Sequence, residues 1–224
     1  MTRWYTEKKK EHFYKEAKRT GYRARSAFKL QQIQSRFHLI PKNGIVIDLG
    51  AAPGGWSQVA KELVGEQGVV IGADLSSIRP LENIQFIQGD ITKSETVEQI
   101  KDLMNGKHAD VVLSDMSPDI SGNYSVDQAR SAWLCECALR VVQQMLRPGG
   151  HFICKIFEGE DTKSFIEKVK QQFLVVKTFS PEASRKSSSE VYILAKSFKK
   201  PYNANHESFQ KTNKRVYYVE ANII

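Results

Sequence analysis

From Gly44 to Ser197, short apolar runs alternate with segments of helical spacing, and this alternation restricts the fold more than any other feature of the chain. The runs are 45–49 (IVIDL), 69–73 (VVIGA), 84–88 (IQFIQ), 110–114 (DVVLS), 151–157 (HFICKIF), 174–179 (LVVKTF) and 191–197 (VYILAKS). Most are nearly continuous in apolar residues, which suits strands covered on both faces. Between them, Val59, Ala60 and Leu63 make one helical stripe, and Val97, Ile100 and Met104 make a second. Leu134, Ala138, Val141 and Met145 make a third, which ends at the strong stop Arg147-Pro148-Gly149-Gly150. A fourth stripe, Phe165, Val169 and Phe173, begins near Asp161, the expected N-cap.

Such alternation builds right-handed βαβ units. The expected fold is therefore α/β, a seven-stranded, mostly parallel, doubly wound sheet with helices on both faces. The last two strands depart from the pattern. The loop between them is rich in Ser, Arg and Lys and has no helical spacing, so a hairpin joins them and one strand runs antiparallel. Ahead of the sheet, Ser26 is the expected cap of a helix carrying Phe28, Ile33 and Phe37 on one side. A chain of 224 residues, 41% hydrophobic, can bury one good core.

Charge divides the chain unevenly. Of 33 basic and 25 acidic residues, 11 basic (Arg3, Lys8, Lys9, Lys10, Lys15, Lys18, Arg19, Arg23, Arg25, Lys29, Arg36) and three acidic (Glu7, Glu11, Glu16) lie in residues 1–36. That leaves 22 of each sign in residues 37–224, so the net charge of +8 sits wholly in the first segment. A neutral body with a basic arm suits a protein that meets a polyanion with one end; a solubilising tail is the alternative. Trp4, Tyr5, Phe13, Tyr14 and Tyr22 interleave with these charges, and could either stack on bases or pack the arm against the body. No apolar run reaches the roughly 18–20 residues needed to span a bilayer, and the first residues lack the apolar stretch of a signal peptide. Cys135, Cys137 and Cys154 form no CxxC, which fits buried thiols in a reducing cytosol better than a disulfide framework or a metal site. The expectation is a cytoplasmic monomer with no membrane or metal attachment.

In a doubly wound sheet, ligands bind beyond the carboxyl ends of the strands. The first strand ends in Asp48-Leu49-Gly50-Ala51-Ala52-Pro53-Gly54-Gly55-Trp56-Ser57, where small residues admit a ligand close to the backbone and the next helix offers free amides. The spacing is neither GxGxxG nor a GK[ST] phosphate loop, which suits a ligand without a pyrophosphate. The second strand ends at Asp74, placed to take ribose hydroxyls, and the third at Asp90, placed to meet an adenine amino group. Together these positions describe an adenosine pocket, although either acid could instead cap the segment that follows it. Asp115 and Lys155 lie at two further strand ends. A lysine inside an apolar strand either snorkels outward or sits partly buried beside an acid; its alignment with Asp115 favours the second.

Four stretches then carry a family resemblance. They are 48–58 (DLGAAPGGWSQ), 114–118 (SDMSP), 155–160 (KIFEGE) and 185–192 (RKSSSEVY). In order and spacing, from about Gly21 to Lys196, they resemble the FtsJ/RrmJ family of S-adenosyl-L-methionine-dependent ribosomal RNA ribose 2′-O-methyltransferases. The resemblance implies a Rossmann-like methyltransferase fold and a Lys-Asp-Lys-Glu tetrad around the reacting hydroxyl, here Lys29, Asp115, Lys155 and Glu190. It implies cofactor contacts from Gly50, Gly54, Trp56, Asp74, Asp90 and Asp115, with ribosomal RNA or the large ribosomal subunit as partner. On this basis residues 1–36 are the basic RNA-binding segment and start of the first helix, 37–198 the catalytic domain, and 199–224 a tail without counterpart in compact bacterial members. Transfer RNA as substrate, or a non-catalytic role in ribosome assembly, are the alternatives. A dinucleotide oxidoreductase would need the GxGxxG that is missing.

Overall fold

A computed structural model of the chain describes residues 13–184 and 189–199. Trp4, Tyr5, Lys8, Lys9, Lys10, the stretch 185–188 and the tail beyond Lys199 lie outside the described residues. The helical residues 13–20 (α1) are followed by α2 (Ala27–Phe37), β1 (Ile45–Leu49), α3 (Gly55–Val64), β2 (Val69–Asp74), β3 (Gln85–Gln88) and α4 (Ser94–Leu103). Then come β4 (Ala109–Ser114), α5 (Tyr124–Met145), β5 (Leu146–Phe157), α6 (Glu160–Gln172), β6 (Phe173–Phe179) and β7 (Glu190–Phe198).

The seven strands form one sheet in the order β3-β2-β1-β4-β5-β7-β6. β7 runs antiparallel to both its neighbours, and every other pairing is parallel. The expected fold class holds, antiparallel strand included. From β1 the chain steps outward to β2 and β3, then returns past β1 to β4, so a crevice opens above the carboxyl ends of β1 and β4. Each face of the sheet buries its own core. Leu30 and Ile33 of α2 and Val59, Ala60 and Val64 of α3 cover one face with Val46, Val70, Val111 and Ile153. Residues of α4, α5 and α6, among them Ile100, Ala138, Val142 and Phe165, cover the other with Ile47, Ile71, Val112 and Phe152. Alternate residues of one strand serve opposite cores, which is why these strands are apolar throughout.

Several local expectations need correction. Helix α6 starts at Glu160 with Gly159 in the capping position, so Asp161 lies in the first turn beside Glu160, where both acids favour the helix dipole. Ser26 does occupy the N-cap of α2, but its hydroxyl makes no cap bond. The buried side of α2 is Ala27, Lys29, Leu30 and Ile33, whereas Phe28 and Phe37 are only half-buried. Helix α5 begins ten residues before its apolar stripe, at Tyr124, with the Asn123 side chain accepting from the Val126 amide. β5 begins at Leu146, paired with Ala109; the register then shifts across the Pro-Gly-Gly stretch and resumes at Val111 and His151.

Candidate active site

The turn after β1 is shaped by close approach. Gly50 has φ +73°, and a Cβ there would lie 2.5 Å from Met116 Cγ, so only glycine allows the two loops to meet. Gly54, also at positive φ, leads into α3 with Leu81 and Arg23 against it. The amides of Gly50 and Ala51 both donate to Ala73 O, which ties the turn to the end of β2.

Three acids line this edge, in unlike surroundings. Asp74 accepts from Ala52 N (2.9 Å) through Oδ2 and from Ser76 N (2.8 Å) through Oδ1. Asp90 accepts from Thr92 N (2.9 Å). Both carboxylates therefore cap local turns, and each oxygen keeps lone pairs for a ligand donor. Asp48, which the sequence reading passed over, lies fully buried under the turn. Its Oδ2 accepts from Ser57 Oγ at 2.6 Å, while Oδ1 has no partner. Burial pushes its carboxyl up to about 7; the Ser57 hydroxyl opposes that rise, and the charges of Asp115 and Asp74 add to it. A glycine cradle, strand-end acids and an orphaned buried oxygen fit an adenosine ligand that also carries a cationic end.

The Trp56 side chain is packed inside the protein. Its ring is 2% exposed, its Nε1 donates to Ser26 O (2.8 Å), and it stacks on Tyr192 with centroids 5.6 Å apart. What it can offer a ligand is its backbone amide, in the first turn of α3.

The four tetrad positions meet as two buried ion pairs. Lys155, on β5, is 6% exposed; its Nζ lies 3.1 Å from Asp115 Oδ1 and donates to Asp115 O at 2.7 Å. Lys29, on α2, is 5% exposed and lies 2.8 Å from Glu190 Oε2. Neither lysine snorkels. Burial would raise the Glu190 carboxyl, but the Lys29 charge and hydrogen bond, helped by Lys155 and Arg25, hold it below the ordinary glutamate value.

Tyr192 joins the pairs, and the sequence reading did not single it out. It pairs with Lys155 across the β5–β7 ladder, and its hydroxyl donates to Asp115 Oδ1 at 2.8 Å. The Lys29 ammonium sits 5.6 Å from its ring centroid, and Trp56 stacks on the same ring. Burial, then the Asp115 charge and hydrogen bond, push its hydroxyl well above the ordinary tyrosine value, so it stays a donor. Its place two residues after Glu190 on β7 was the available signal, since alternate strand residues share a face.

The basic segment divides in the same way. Lys15, Lys18 and Arg19 are exposed on α1, and Tyr14 is exposed with Lys18 over its ring. Phe13 and Tyr22 instead pack on Phe28, and Tyr22 donates to Glu62. Arg23 is turned inward: its guanidinium donates to Pro53 O (3.2 Å), Arg79 O (2.5 Å) and Pro80 O (2.8 Å). It thereby ties the turn after β1 to the loop after β2.

Among the described residues no helix is long and apolar enough to cross a membrane, and no cluster of ligating side chains could hold a metal. Residues 22–198 match the model of the FtsJ-like methyltransferases. The chain is 53% identical over 187 residues to the ribosomal RNA large subunit methyltransferase E of Methanothrix thermoacetophila, an alignment covering 84% of this chain and 72% of that protein. It is 44% identical over 197 residues to the protein of the same name from Acinetobacter baylyi, covering 88% and 91%. A Plasmodium falciparum crystal structure described as a ribosomal RNA methyltransferase superposes with a TM-score of 0.73 at 31% identity, covering 79% of this chain and 98% of that one. A match over most of the chain, on a sheet of this order, places the chain in the FtsJ-like methyltransferase family.

Proposed function

We propose that this chain transfers a methyl group from S-adenosyl-L-methionine to the 2′-hydroxyl of a ribose, a uridine, in large-subunit ribosomal RNA. The observation that carries the reading is the meeting of Lys29, Asp115, Lys155 and Glu190 in two buried pairs beside the glycine turn. Asp74, Asp90 and the turn from Gly50 to Trp56 would hold the cofactor, which supplies an activated methyl group. A ribose hydroxyl is a poor nucleophile, so the residues must align its oxygen and accommodate the charge left as its proton departs.

Lys155 has the geometry for the second task. Two contacts of its Nζ go to the carbonyl and carboxylate of Asp115, which leaves its remaining position for the 2′-oxygen, either to take the hydroxyl proton as a neutral amine or to hold the developing alkoxide while the proton passes to water. Asp115 orients it, and Tyr192 orients Asp115. Lys29 and Glu190 hold the ribose from the α2 side. The exposed cations of α1 supply phosphate contacts that do not depend on sequence and weaken with salt.

The names of the relatives favour large-subunit RNA over transfer RNA. The test is methyl transfer from labelled S-adenosyl-L-methionine to purified large subunits, free ribosomal RNA and transfer RNA in parallel. Label in the large-subunit RNA, mapped to a 2′-O-methyluridine, is the expected result. Incorporation into none of them would sink the enzyme reading, and incorporation only into transfer RNA would sink the substrate.

A further inference from the structure

The loop after Asp115 displays apolar side chains where a catalytic rim should be polar. Ile120 is 67% exposed, Tyr124 61% and Val126 39%, so three of the large exposed hydrophobic residues fall within seven positions. The loop is built to hold them out. Asp127 accepts from both the amide (2.9 Å) and the hydroxyl (2.7 Å) of Ser121, and Asn123 caps α5. Tyr124 Oη donates to Glu158 O at 3.2 Å, and Gln128 donates to the same carbonyl. Glu158 N in turn donates to Ser189 O, next to Glu190. The ring is thus pinned to the carbonyl three residues beyond Lys155, about 10 Å along an extended strand.

We propose that Tyr124, with Ile120 beside it, is a stacking platform for the nucleobase of the nucleotide whose 2′-hydroxyl lies at Lys155. The inference rests on the reading that RNA is the substrate and deepens it. A ribose held between the two ion pairs leaves its base to be placed, and the patch follows Asp115 in the chain and is tied through Tyr124 to the end of the strand that carries Lys155. Base and phosphates then meet complementary surfaces: exposed rings and aliphatic groups on the α5 side, and the cations of α1 and α2 on the other. An aromatic ring accepts any base on its face, so the platform fixes position and the RNA shape supplies selectivity. A phenol held through its hydroxyl presents its ring faces at little entropic cost.

The test compares wild type, Tyr124→Ala and Tyr124→Phe in methyl transfer to purified large subunits, with S-adenosyl-L-methionine affinity and Tm measured alongside. Tyr124→Ala should raise the KM for subunits roughly tenfold, as loss of one base stack does, while cofactor affinity stays unchanged. Tyr124→Phe keeps the ring and should stay within about twofold of wild type. Ultraviolet cross-linking of the wild-type complex should place a nucleotide adduct on Tyr124. An unchanged KM for Tyr124→Ala overturns the proposal. So does a Tyr124→Phe defect as large as that of alanine, which would assign the effect to the Glu158 anchor. A KM effect with Tyr124 cross-linked to a ribosomal protein instead of RNA overturns it in favour of a protein contact. Wild-type protein that methylates no RNA removes the parent reading, and the inference with it, before any variant is compared.

Discussion

The two ion pairs of the site are alike in length and burial but are held by different forces. Asp115 follows Ser114, the last residue of β4, and Lys155 follows Cys154, the β5 partner of Ser114, so the hydrogen-bond register of β4 and β5 brings them together. Lys29 and Glu190 are separated by 161 residues and belong to a helix and to the antiparallel strand. No ladder joins them; they meet because α2 docks on α3 and because Trp56 and Tyr192 fill the space between. The first pair is as rigid as the sheet. The second is only as well placed as the packing of one helix.

The largest effect should come from the sheet-borne pair. Lys155→Ala is expected to lower kcat by about 10²–10⁴-fold with cofactor affinity retained, measured by single-turnover methyl transfer. Near-normal turnover would remove Lys155 from the reaction. Trp56→Ala tests the docked pair by opening a cavity under it. Stability should fall by ~3–5 kcal/mol in denaturant unfolding, with activity lost through Lys29–Glu190 while the β4–β5 register persists. Tyr192→Phe keeps the stack and loses only the bond to Asp115. A drop in kcat of about fivefold, equivalent to ~1 kcal/mol, with KM unchanged, would show that the hydroxyl links the two pairs; no change would make them independent.

A smaller and different loss is expected from Arg23→Ala. Because Arg23 is spent on Pro53, Arg79 and Pro80 carbonyls, its removal should weaken cofactor binding several-fold by calorimetry, as loss of hydrogen bonds to a charged group does. RNA affinity should fall less than it does in Lys18→Ala with Arg19→Ala, whose cations are exposed.

The least effect is on stability as a function of pH, and its two halves have opposite signs. Glu190 titrates below its ordinary value of 4.5, so its contribution is present above that value and is lost as pH falls through the lowered one. Asp48 titrates at about 7, above its ordinary 3.8, so its contribution is complete below 3.8 and is lost as pH rises through about 7. Unfolding measured across the acidic and neutral range should show Glu190→Gln flattening the loss of stability on the acid side and Asp48→Asn flattening the loss as pH rises toward neutrality.

Much of this site could be read along the chain. Gly50, Asp74, Asp90 and Asp115 lie at or just after strand ends, Gly54 leads into the helix that follows β1, and Lys155 interrupts an apolar strand near its end. What could not be read was how each side chain would be used. Trp56 stands just after the glycine turn, yet its ring is taken by Ser26 and Tyr192. Arg23 adds to the basic count of the first segment, yet it serves three carbonyls. The start of α5 carries no sequence signal because its first turns face water and have no apolar stripe.

The sequence by itself determined the alternating sheet, the glycine turn and the row of charged strand ends, because period, propensity and close approach are properties of neighbouring residues. Only the tertiary structure decided that Lys29 meets Glu190, that Tyr192 stands between two lysines, and that an exposed Tyr124 is tied to the Glu158 carbonyl. Those contacts join residues remote in the chain. Their distances are set by strand register and helix docking, which no local pattern encodes.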